Sequence, residues 1–153
     1  EHGEPAAGVP GVLEGFAELP AEPDAAAAVD RLRTAGVRVL ALSNGSEANT
    51  AAMLKGAGLS GEVERVVSID EAGQWKPRPE AYRYVAKVAG VEPGRLALVA
   101  AHAWDCHGAH RAGLVTGWVS RVEKAFSPAF GRPTVEAGTL PGVADALLQL
   151  PGG

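Results

Sequence analysis

Apolar residues fall in short dense runs along this chain, and each run gives way to a stretch with helical spacing. VRVLALS (37–43) is nearly all apolar, without the alternation of a half-exposed strand, so both of its faces are expected to be buried. RLALVAA (95–101) and LVTGWVS (114–120) read the same way, VERVVSID (63–70) reads as another strand, and PTVEA (133–137) as a short fifth. Between them lie helical patterns. AAAAVDRLRTAG begins after Asp24, placed to cap it, and stops at Gly36. Further helices are expected over 47–58, from Pro79 to Ala89 with Gly90 as its stop, from Trp104 to Ala112, and from Val143 to Leu150.

Strands alternating with helices predict an α/β fold, a Rossmann-like parallel sheet flanked by helices. Two units are expected: 1–22, rich in Gly, Pro, Ala and Glu, as a linker or residual segment, and 23–153 as the core. In such sheets ligands bind beyond the carboxyl ends of the strands. Chemistry is therefore sought just after each apolar run.

Four clusters lie there. Ser43-Asn44-Gly45 sets a hydroxyl, an amide and backbone N–H groups at a strand end, which suits either an anion cradle or an N-cap. Lys76 sits in QWKPRPEAYRYV, where Pro77 and Pro79 restrict the backbone and make a fixed ammonium, able to neutralise an anion, the alternative to a solvated lysine. Tyr82, in the helix that follows, reads as a core tyrosine with one satisfied hydroxyl or as a ligand. Asp105, in AAHAWD, is either a helix cap or a carboxylate at the ligand edge. The histidines His102, His107 and His110 with Cys106 match no tight zinc motif. Walker, G-x-G-x-x-G and G-x-S-x-G patterns are all absent.

Composition narrows the classes. The chain has 153 residues, 46% of them apolar, and a net charge of −4, with no basic stripe for nucleic acid. One cysteine excludes an internal disulfide and fits a cytoplasmic setting. No apolar run approaches the roughly 20 residues of a spanning helix, so no membrane partner is expected.

Taken in order, SNG, then K-P-x-P-x-x-Y, then A-x-A-W-D-x-x-G-A, the chain resembles the haloacid dehalogenase superfamily, and within it the type II (S)-2-haloacid dehalogenases. The resemblance runs from about Pro23 to Arg121. It implies a haloacid dehalogenase-like core and hydrolysis of small 2-haloalkanoic acids through an aspartyl ester, with water as co-substrate and no metal or other cofactor. It implies that Ser43 binds the substrate carboxylate, that Asn44 cradles the departing halide, and that Lys76 steadies the nucleophilic aspartate, with Tyr82 nearby. Asp105 would position Lys76 and the hydrolytic water. His102 falls where many members carry asparagine, and Ala100 where many carry serine; a histidine there could polarise water. Magnesium-dependent phosphatases of the superfamily carry G-D-x-x-x-D at this strand end. Here Ala101 fills the first acidic slot, which favours the dehalogenase branch and leaves the phosphatase as the alternative.

The D-x-x-G-T-like nucleophile motif of the family is absent from the sequence. The expectation is thus a chain that begins inside the helical cap, without the first strand and most of the cap. Alone it would be inactive, and marginally stable or oligomeric, with a homodimer as one outcome. A non-catalytic remnant or binding module is the further alternative.

Overall fold

The computed structural model describes residues 20–151. The expected unit over 1–22 falls almost wholly outside them. Six helices and five strands follow in order: α1 (Ala25–Thr34), β1 (Leu40–Ser43), α2 (Glu47–Gly56), β2 (Arg65–Ser68), the single turn α3 (Ile69–Ala72), α4 (Pro79–Ala89), β3 (Ala97–Ala100), α5 (Ala103–Arg111), β4 (Val115–Val119), β5 (Val135–Ala137) and α6 (Leu140–Leu148). All strand pairs are parallel.

Among the described residues the strands form two sheets, β1-β2 and β3-β4-β5. The registers run Leu40↔Arg65 to Ser43↔Ser68, and Ala97↔Val115 to Ala100↔Trp118. β1 and β3 do not pair with each other, so among the described residues each has one edge of backbone N–H and C=O groups without a strand partner. The four residues of β1 are only half-buried as a result, although their apolar run suits a strand covered on both faces. Leu42 of β1 and Leu98 of β3 nevertheless pack on one shared cluster of Tyr82, Ala109, Ala112 and Leu114.

Helices lock the sheets together through small contacts. Val143 of α6 lies so close to Gly117 of β4 that a Cβ there would stand 2.5 Å from it. By strand alternation the buried Thr116 and Trp118 face the other way. α5 packs on β3 and β4, and α4 on α5. Gly108 sets that spacing. A Cβ on it would lie 2.7 Å from the Pro77 carbonyl oxygen and 2.7 Å from the Tyr82 hydroxyl.

Element boundaries depart from the sequence reading in instructive ways. Asp24 occupies the N-cap position of α1 but makes no capping bond. Its carboxylate goes to the Arg121 guanidinium and to the Leu140 N–H at 3.0 Å, long-range partners that outbid a local turn. The last helix starts three residues earlier than expected, because the Thr139 hydroxyl accepts from the Gly142 N–H at 3.2 Å and a proline is tolerated in a first turn. Ile69-Asp70 leaves the strand for the one-turn helix α3.

Candidate active site

β1 ends at Ser43, and the next helix is capped by Ser46, whose hydroxyl accepts from the Asn49 N–H at 3.2 Å. Neither Ser43 nor Asn44 is therefore spent on capping. The Ser43 hydroxyl accepts from the Gly45 N–H at 2.9 Å and folds the strand end into a tight turn. Asn44 reaches across to the Lys76 peptide. Its Oδ1 accepts the Lys76 N–H at 2.9 Å and its Nδ2 donates to the Lys76 carbonyl at 3.3 Å. The second hydrogen of that amide remains for another acceptor.

The peptide of Lys76 being held, its side chain runs to Asp105. Lys76 Nζ donates to Asp105 Oδ2 at 2.7 Å, and the two side chains are 12% and 8% exposed. The other carboxylate oxygen accepts from the Tyr82 hydroxyl at 2.6 Å. Tyr82 itself is wholly buried. Burial, then the hydrogen bond to Asp105, push its phenol well above the ordinary range, so it serves as a fixed donor. Asp105 stands in the first turn of α5, where the helix dipole favours a carboxylate. Its N-cap alternative fails, since His102 holds that position.

Three chain segments thus meet at the carboxyl ends of β1 and β3: the turn after β1, the loop before α4 and the start of α5. Tyr82 belongs to the site from beneath, through Asp105. Lys76 Nζ lies 6.0 Å from the Trp104 ring centroid, within cation–π range. Trp104 stacks on His102, with centroids 5.9 Å apart and planes at 16°. His102 Nδ1 is 3.2 Å from Glu123 Oε1. Sequence reasoning missed Glu123, which lies in the loop after β4 with no motif to mark it. The other histidines do not converge on this edge: His107 stacks on Phe130 at 4.8 Å. Cys106 is buried against backbone carbonyls of Ala100 and Gly117, and its thiol is pushed up to about 12, chiefly by burial. Among the described residues no three His, Cys, Asp or Glu side chains gather as a metal site. No described helix is long and apolar enough to cross a membrane.

A cleft lined by Val37, Arg38, Gly61 and Glu64 opens at the opposite, amino end of β1. Its arginines are paired with Glu62 and Glu64, so it offers no free charge to a ligand.

Fold and edge constellation together define a hydrolase core of the haloacid dehalogenase type. Residues 6–113 match the family described as haloacid dehalogenase-like hydrolase, and the chain belongs to that family. It is similar to (S)-2-haloacid dehalogenase 1 of Pseudomonas sp. (strain CBS-3), with 29% identity over 139 residues, 91% of this chain and 61% of that protein. With (S)-2-haloacid dehalogenase 4A of Burkholderia cepacia it shares 34% identity over 110 residues, 72% of this chain and 48% of the relative. The crystal structure of the L-2-haloacid dehalogenase RSc1362 superposes with a TM-score of 0.85 at 24% identity, covering 95% of this chain and 64% of that one, a likeness of fold. The chain thus spans about half to two thirds of the length of the relatives it matches.

Proposed function

We propose that this chain carries the lysine–aspartate half of an (S)-2-haloacid dehalogenase site, which hydrolyses small 2-haloalkanoic acids without a metal. The observation that carries the reading is the Lys76–Asp105–Tyr82 assembly at the carboxyl edge, with the Lys76 peptide clamped by Asn44. An ammonium so held has two further N–H donors to offer to anions. It can neutralise both a nucleophilic carboxylate and the carboxylate of a haloacid, which otherwise repel each other. The carboxylate oxygen displaces halide from the alpha carbon, the halide leaving with the bonding pair, and an ester forms. Water then adds to the ester carbonyl; the hydroxy acid departs with one of the water's protons, and the other is released to solvent as the enzyme carboxylate is regenerated. Ser43 and Asn44 are the proposed donors to the substrate carboxylate and to the departing halide. His102 is the proposed partner of the water.

Magnesium fits this edge poorly. It asks for several oxygen ligands in an octahedral shell, but both oxygens of Asp105 are engaged by Lys76 and Tyr82, and Ala101 supplies none. This supports the dehalogenase branch over the phosphatase branch.

No aspartate of the described residues occupies a D-x-x-G-T motif, so the nucleophile is sought in residues encoded upstream. The test is halide release from (S)-2-chloropropionate by this chain and by a form extended upstream through such an aspartate, with and without a chelator. Release by the extended form, unchanged by chelation, is expected. Silence from both forms, or dependence on magnesium, overturns the reading.

A further inference from the structure

The side chain of Glu123 is fixed at two points. Its Oε2 accepts the Ala103 N–H, the first of α5, at 2.8 Å. Its Oε1 faces His102 Nδ1 at 3.2 Å. A helix cap needs only one oxygen, so the second contact requires a different account. The imidazole is held besides by its stack on Trp104, the ring that also neighbours the Lys76 ammonium. His102 is 51% exposed and Glu123 30%, so the ring sits at the mouth of the edge with one side anchored and one side open. A neutral imidazole whose Nδ1 faces a carboxylate keeps its proton there and presents Nε2 as an acceptor.

We propose that Glu123 is a positioning residue which fixes His102 in the Nδ1–H tautomer, so that Nε2 serves as the general base for the water that cleaves the ester. This rests on the dehalogenase reading above. In the step, a water proton passes to His102 Nε2 as the water oxygen bonds to the acyl carbon of the aspartyl ester. The tetrahedral adduct then collapses, the bond to the 2-hydroxy acid oxygen breaks, and that oxygen takes the proton back from His102. The neutral imidazole is restored, and the second water proton, left on the new carboxylic acid of the nucleophile, is released to solvent to restore the carboxylate. The first half of the reaction, halide displacement, uses no proton transfer and does not involve the pair.

Glu123→Gln separates the cap from the pairing. Its amide oxygen can still accept the Ala103 N–H, but its NH₂ then faces His102 Nδ1. That forces Nδ1 to become the acceptor and moves the ring proton to Nε2. Long-range proton–nitrogen NMR on the present chain reads the tautomer directly: Nδ1–H is expected in the parent and Nε2–H in Glu123→Gln. An Nε2–H parent overturns the assignment. In the form extended upstream through the nucleophile, the first-turnover burst of halide is expected to be unchanged in Glu123→Gln. Steady-state release is expected to fall about 10²-fold, the scale of a lost general base. A burst followed by undiminished turnover overturns the role of Glu123 while leaving the dehalogenase reading intact. A parent that releases no halide overturns that reading, and the ester step with it. A thermal melt matching the parent excludes misfolding as the cause of a loss.

Discussion

Asn44 brackets the peptide of Lys76, accepting its N–H at 2.9 Å and donating to its carbonyl at 3.3 Å. The end of one strand therefore sets the position of a lysine 32 residues further on, and the ammonium inherits a fixed origin. Asn44→Ala removes both bonds and leaves two part-buried backbone groups to water. The expected cost is about 1–3 kcal/mol in chemical denaturation, with faster hydrogen exchange at the Lys76 amide. An exchange rate unchanged at Lys76 refutes the clamp.

The Lys76–Asp105 pair is nearly dry, and the loss of one partner strands the other charge. Lys76→Met is expected to destabilise by about 3–5 kcal/mol, and the double change Lys76→Met with Asp105→Asn by less than the sum. A double-mutant cycle from urea melts measures the coupling, and additive losses would contradict it.

Gly108 is where α5 meets the Lys76 loop and Tyr82. Alanine suits helices better than glycine by about 1 kcal/mol. Here, however, the added methyl meets a backbone oxygen and a hydroxyl at 2.7 Å. Gly108→Ala is expected to destabilise by about 1–3 kcal/mol in spite of that propensity. Gly61, with nothing within 4 Å of an added Cβ, is the control and should tolerate alanine.

The Cys106 thiol is 1% exposed and held protonated up to about 12. Native protein should react with a thiol reagent far more slowly than denatured protein at pH 8. The linkage has a definite sign: the unfolded thiol ionises first, near its ordinary value of about 8.5. Cys106 therefore favours the fold below that pH, and its contribution is lost as pH rises toward the folded value. Cys106→Ala should flatten the alkaline side of the stability profile.

Asp24 works in the opposite direction. The Arg121 guanidinium holds its carboxyl below the usual carboxylate range. Its contribution is present above the unfolded pKa, about 3.9, and is lost as pH falls through the lower folded value. Asp24→Asn should shift the acid-unfolding midpoint upward in pH. An unchanged midpoint would mean that the pair is not formed in solution.

Patterning made the alternating architecture legible, because a parallel strand buried on both faces and an amphipathic helix such as α4 leave distinct signatures. Lys76, Tyr82 and Asp105 were legible as candidates in an ordered loop, in the helix after it and just beyond a strand end, and the structure joins them directly. Their bonds to one another were not, since no local spacing encodes a contact across 23 or 29 residues. The same holds for Asp24. A helix-start aspartate looks like a cap, and only tertiary structure reveals that Arg121 and the Leu140 N–H claim it. Glu123 had no pattern at all, because a loop carboxylate gains meaning only from the helix end it faces.

The attachment of Asp24 to Arg121 and Leu140 spans 97 and 116 residues of chain. α1 has ten residues and one fully buried side chain, Ala28, and a helix of that length is marginal in water on its own. Its packing partner is α6. During synthesis α1 thus leaves the ribosome ahead of every other element described here, yet it finds its anchor only when the last of them has emerged. Long-range closure of that kind is slow to form, which makes the first helix of this core the last to be secured.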